Sequence, residues 1–183
     1  MFSGPRRSTT AMTSKRRPFR EVAIGGTFDA LHRGHKILLR TAFRAGDRVL
    51  IGLSRNGFVK RLVKNHRVDR YPKRKRELVS FLKKEQLIER AKIMPLDDPY
   101  GPTIDNSTIG ALIVSRMTKK MADKINTIRR RRGLKPLPVV SIGMVVAEDF
   151  EPISSTRIRA GEIDREGYLA RSHRSRRIRL SPK

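Results

Sequence analysis

The apolar run Val22-Ala23-Ile24 ends in Gly25-Gly26, and from Gly34 the residues Ile37, Leu38, Thr41 and Ala42 recur at helical spacing. Such a run reads as a buried parallel strand, and the paired glycines let the backbone turn tightly and approach a ligand. A strand, a glycine turn and a helix start in that order set the free first-turn amides and the positive end of the helix dipole beside His32 and His35, an arrangement suited to phosphate. A Gly-Gly turn is often only a tight connection. Here Thr27, Asp29, His32, Gly34 and His35 accompany it at fixed offsets, and together they favour the phosphate reading. The two histidines could also be metal ligands. The chain has no cysteine, however, and His66 and His173 stand in basic surroundings, so no protein-held metal is expected.

The rest of the chain repeats the same alternation. Apolar runs at Val22 to Ile24, Val49 to Leu53, Ala91 to Met94, Leu112 to Val114 and Val139 to Val146 are separated by helical spacing at Lys36 to Phe43, Arg74 to Leu82 and Lys119 to Arg130. The expected fold is therefore α/β, a Rossmann-like, doubly wound, five-stranded parallel sheet with helices on both faces. Ligands of such sheets sit beyond the strands' carboxyl ends where the strand order reverses. With 183 residues the chain suits one domain, expected over residues 20–167 between a basic N-terminal extension (1–19) and a basic C-terminal tail (168–183). The formal charge of +26 draws in anions, whether phosphorylated metabolites or RNA, and the two basic ends suggest nonspecific polyanion contact. The scarcity of aromatic residues speaks against an RNA-recognition sheet, which needs a stacking platform. No apolar run approaches the ~20 residues that span a membrane, and the lack of cysteine fits a cytoplasmic protein.

A second motif lies far along the chain. Pro152-Ile153-Ser154-Ser155-Thr156-Arg157-Ile158-Arg159, ahead of Gly161, places hydroxyl residues where a helix N-cap is expected, with two arginines behind them. By itself this is an ordinary cap with a solvated basic face. Beside the first motif, it offers hydroxyls, amides and bidentate guanidinium groups to one end of a polyphosphate.

The stretch Gly26-Thr27-Phe28-Asp29-Ala30-Leu31-His32-Arg33-Gly34-His35 resembles the HxGH nucleotidyltransferases. Together with the second motif and Gly161-Glu162-Ile163-Asp164, it is similar to the archaeal and eukaryotic type of pantetheine-phosphate adenylyltransferase, the archaeal form above all. Landmarks between the motifs agree: Gly52-Leu53-Ser54, Phe58, Lys64, Val68, Tyr71, Arg74, Leu96 to Thr103, Val114-Ser115, Thr118, Ile125-Asn126, Arg129 and Gly133-Leu134. Asn56 and Met117 depart from it, standing where an aspartate and a glutamate are common. The resemblance implies transfer of the adenylyl group of ATP to 4'-phosphopantetheine, with magnesium accompanying ATP. It further implies that His35, Lys64 and Arg129 are catalytic and that Gly25, Gly26, Thr27, Phe28, His32, His35, Asn126, Arg129, Ser154, Ser155, Thr156 and Arg157 hold ATP. Thr27 and Lys64, with Lys60 as a rival, would meet the acceptor. Other enzymes with this turn, a cytidylyltransferase or an FAD synthetase, remain the enzymatic alternative, and a basic nucleic-acid-binding protein on the same fold is the alternative of another class.

Overall fold

The computed structural model describes residues 17–61 and 67–170. Strand β1 (Phe19–Gly26) is central, between β2 (Gly46–Ser54) and β4 (Ala111–Ser115), and the sheet continues outward to β3 (Ala91–Leu96) and β5 (Val139–Ile142). The order is β3-β2-β1-β4-β5, and every pairing is parallel. Val22 lies in register with Val49 on one side and Ala111 on the other. A strand paired on both edges and covered on both faces has no solvent side, which is why Val22, Ala23 and Ile24 form an unbroken apolar run.

The helices divide the core into two layers. Helices α1 (Arg33–Ala45) and α3 (Tyr71–Lys84) cover one face, packing Leu38, Leu39, Ala42, Phe43, Leu78, Phe81 and Leu82 onto Val22, Ile24, Val49 and Ile51. On the other face α4 (Lys119–Arg131) sets Ala122 and Ile125 on Ala23, Leu50 and Leu112. At about 1.5–3 kcal/mol for each large apolar side chain buried, these layers supply the main drive to fold. The crossover from β3 on one side of β1 to β4 on the other makes the carboxyl ends of β1 and β4 the switch point of the sheet.

All five expected strands form, with one end moved. The run Val139 to Val146 leaves the sheet after Ile142; Gly143 to Val145 turn into the cavity described below, and Val146 bridges Pro152. The short helix α2 (Asn56–Arg61) buries Phe58 and Val59, two adjacent residues that give no periodic signal. The second motif forms α5 (Ser155–Arg159), five residues long. Strand β1 already begins at Phe19, and the chain is still packed at Ala170, whose amide donates to the Glu162 carbonyl at 2.9 Å. The rest of both basic ends lies outside the described residues.

Candidate active site

The turn after β1 is shaped by backbone that side chains rarely adopt. Phe28 (φ 48°) and Ala30 (φ 44°) are left-handed without being glycine, and both are buried. Such conformations cost on the order of 1–3 kcal/mol each and persist only where their surroundings hold them. The Phe28 ring packs against His35, with centroids 5.3 Å apart. Gly26 makes room for this, because a Cβ there would stand 3.3 Å from that ring. Gly34 does the same for His32, whose ring would lie 3.1 Å from an added Cβ. His32 therefore folds back over the start of α1 and stacks on His35 at 3.8 Å, with no side chain capping the helix.

Burial pushes the His32 pKa down to about 4, against the opposing pull of Asp29, so His32 is neutral at neutral pH. Its Nδ1 is buried with no hydrogen-bond partner among the described residues. A neutral ring can still donate or accept through a nitrogen, so the pair is a polar patch held in place before any ligand arrives.

Asp29 fastens this turn to two distant segments. Its carboxylate accepts the amide of Asp69 at 2.9 Å and the guanidinium of Arg159 at 2.9 and 3.2 Å. Ser155 Oγ donates to the Asp29 carbonyl at 2.8 Å across 126 residues of sequence. Arg74, 1% exposed, donates to the carbonyls of Thr27, Ser54 and Asp69 at 2.7–2.8 Å and more weakly to Asn56. Burial lowers the Arg74 pKa from its ordinary value, partly offset by Asp29. Asn56 Oδ1 also accepts the Tyr71 amide at 2.8 Å, so it serves the start of α3. The sequence marked Arg74 only as a landmark. Its role depends on carbonyls contributed by three separate segments.

These bonds bring both motifs to one cavity of about 620 Å³ at the carboxyl ends of β1 and β4. Gly25, Gly26, Thr27, Phe28, His32 and His35 line it from the first motif, and Ser154, Ser155 and Thr156 from the second. Ser154 is the α5 N-cap, its Oγ accepting the Arg157 amide at 3.3 Å.

Four of the expected site residues lie elsewhere. Asn126 is turned to Leu137, whose carbonyl it meets at 2.9 Å and whose amide it accepts at 2.7 Å. Arg129, 2% exposed at the end of α4, donates to the carbonyls of Lys135, Thr103 and Asn106 at 2.7–2.9 Å. Neither lines the cavity: loop carbonyls around the α4 end lack backbone partners, and these side chains satisfy them. Arg157 is held by Asp149 at 2.6 Å and Glu162 at 2.8 Å, which raise its pKa, Asp149 foremost. Lys60 is exposed on α2 outside the cavity lining. Lys64 lies outside the described residues. Among the described residues no three histidine, aspartate or glutamate side chains are grouped as a metal ion would require.

The cytidylyltransferase-like family model matches residues 23–161, most of the chain and both motifs. A phosphopantetheine adenylyltransferase of Methanosarcina mazei is 47% identical over 81% of this chain and 96% of that protein. Another, from Methanothermobacter thermautotrophicus, is 42% identical over 84% and 92%. The chain belongs to the archaeal phosphopantetheine adenylyltransferases. It is thus a nucleotidyltransferase, with the parallel α/β fold of the cytidylyltransferase-like family. Among solved structures, a protein of unknown function from Archaeoglobus fulgidus superposes with a TM-score of 0.61 at 30% identity, covering 67% of this chain and 88% of that one. No helix among the described residues is long and apolar enough to cross a membrane.

Proposed function

We propose that the enzyme transfers the adenylyl group of ATP to 4'-phosphopantetheine, releasing pyrophosphate and forming dephospho-coenzyme A. The acceptor phosphate oxygen bonds to the α-phosphorus as the bond from that phosphorus to the bridging β-oxygen breaks. A phosphomonoester with a second pKa of about 6 is already mostly dianionic at neutral pH, so the site needs no strong base. Its work is alignment and charge stabilisation, which suits a cavity lined by histidines, a glycine turn and hydroxyls, with no acid dyad. His35, His32 and the Gly25 to Thr27 backbone serve the α-phosphate and the acceptor, and the Ser154 to Thr156 cap serves the departing pyrophosphate. Met94, Leu96, Tyr100 and Pro102 give the cavity an apolar side that fits the pantetheine arm.

The observation that carries this reading is the Ser155 Oγ bond to the Asp29 carbonyl, which makes the histidine turn and the hydroxyl cap two walls of one cavity. The lining provides no carboxylate cluster for a protein-held magnesium ion, since Asp29 is committed to Arg159. Magnesium belongs in this proposal as the counter-ion of ATP, held by phosphate oxygens and water. Nonspecific polyanion contact through the basic ends is part of it too, supported by the net charge of +26. The test is a pyrophosphate-release assay crossing ATP and CTP with 4'-phosphopantetheine, phosphocholine, glycerol 3-phosphate and FMN. Turnover with ATP and 4'-phosphopantetheine alone is the expected result; turnover with CTP and another acceptor in its place would overturn it.

A further inference from the structure

Two polyanions meet in this cavity, yet four of the arginines near it are occupied by the protein itself. Arg157 is held by Asp149 and Glu162, Arg159 by Asp29 and Asp69, and Arg74 and Arg129 by backbone carbonyls. The long cations that do line the cavity stand together after β4: Arg116 in the turn Arg116–Thr118, then Lys120 and Lys124 on α4. All three are exposed, and none makes a hydrogen bond or ion pair among the described residues.

Their spacing aims them at the cavity. Lys120 and Lys124 stand one turn apart on α4 with Met121 between them, Met117 precedes them in the turn before the helix, and all four residues line the wall. Lysine stems pack along apolar surface and leave the charge at the wet end, so a lysine in such a wall can keep its ammonium group toward solvent and phosphate. This wall follows β4, whereas Met94 and Leu96 of β3, with Tyr100 after it, contribute apolar residues from the other side of β1.

We infer that Lys120 and Lys124, with Arg116 before them, hold the triphosphate of the nucleotide together with the α5 hydroxyl cap. The inference rests on the nucleotidyl-transfer reading and names the cations for its charged half. A flexible ammonium is a compact point charge with three donors, so it follows a polyphosphate from bound triphosphate to departing pyrophosphate without demanding one geometry. Such groups read charge and ignore the base.

The experiment is calorimetric binding of ATP, ADP and AMP to the full chain and to the double variant Lys120→Gln, Lys124→Gln, which keeps long polar stems and removes both charges. The expected result is an affinity loss for ATP of about tenfold or more, less for ADP and none for AMP, as charge-assisted bonds to phosphate are lost. The same variant should raise the KM for ATP and leave the KM for 4'-phosphopantetheine unchanged. Equal losses for ATP and AMP, no loss at all, or a rise confined to the acceptor KM would each overturn the inference. The binding series is independent of turnover. A wild-type chain that releases no pyrophosphate with any substrate pair would therefore defeat the proposed reaction while the lysines were still judged by ATP against AMP.

Discussion

The two motif segments that share the cavity are held in place by different forces. The turn after β1 is rooted in the core: Phe28, Asp29, Leu31 and His32 are all buried, and two strained residues are locked between β1 and α1. Helix α5 has five residues and no buried one, and it is tied down by Arg157 and Arg159 through the four carboxylates of Asp149, Glu162, Asp29 and Asp69. Burial fixes one wall rigidly, while charge fixes the other in a way that salt and pH can loosen. An isolated helix of that length is not stable in water, so α5 exists because tertiary ion pairs and its Ser154 cap hold it.

Breaking the buried wall gives the largest effects. Arg74→Ala would strip the carbonyls of Thr27, Ser54 and Asp69 of their donor and leave a void, with a stability loss of at least about 3 kcal/mol in urea unfolding. A loss no larger than that of an exposed α3 residue such as Lys75→Ala would show the turn to be held otherwise. The buried, neutral His32 predicts an acid limit. Its folded pKa of about 4 lies below the ordinary 6.5, so the unfolded chain binds more protons in between, and stability present above pH 6.5 is lost as the pH falls towards 4. The full loss is about 3 kcal/mol, and His32→Gln should flatten that part of the unfolding profile.

His35→Ala should lower turnover by roughly a hundredfold, in keeping with loss of one donor to a reacting phosphate, and leave the chain folded. Undiminished turnover would remove His35 from the site. Arg157→Ala would leave Asp149 buried without this partner, and about 2 kcal/mol of stability should go with it. Hydrogen exchange at the α5 amides should quicken more than at α1. The smallest effect is that of salt: raising it from 0.1 to about 1 M should speed α5 exchange a few-fold and spare the turn after β1. Equal acceleration in both segments would abolish the distinction between them.

Much of the fold was legible because its signals are local. Apolar runs such as Val49 to Leu53 and helical spacing such as Leu38, Leu39, Ala42 and Phe43 report burial directly, and the glycine turn announces itself in consecutive residues. The residues named by resemblance do not all face the cavity. His32, His35, Thr27 and Ser154 to Thr156 do line the cavity, whereas Asn126, Arg129 and Arg157 are spent on partners that only folding brings near. The stripe of Met117, Lys120, Met121 and Lys124 was present in the spacing all along. In a chain with so many basic residues the spacing alone does not single it out, and only the cavity beside it gives it direction.

The sequence by itself determined an α/β fold with a glycine turn at the end of its first strand, since apolar periodicity and glycine turns act over a few residues. The tertiary structure decided which cations remain available to a ligand. Every arginine can bind phosphate, carboxylate or carbonyl with the same guanidinium, and which of these it meets depends on segments as distant as Asp29 and Arg159.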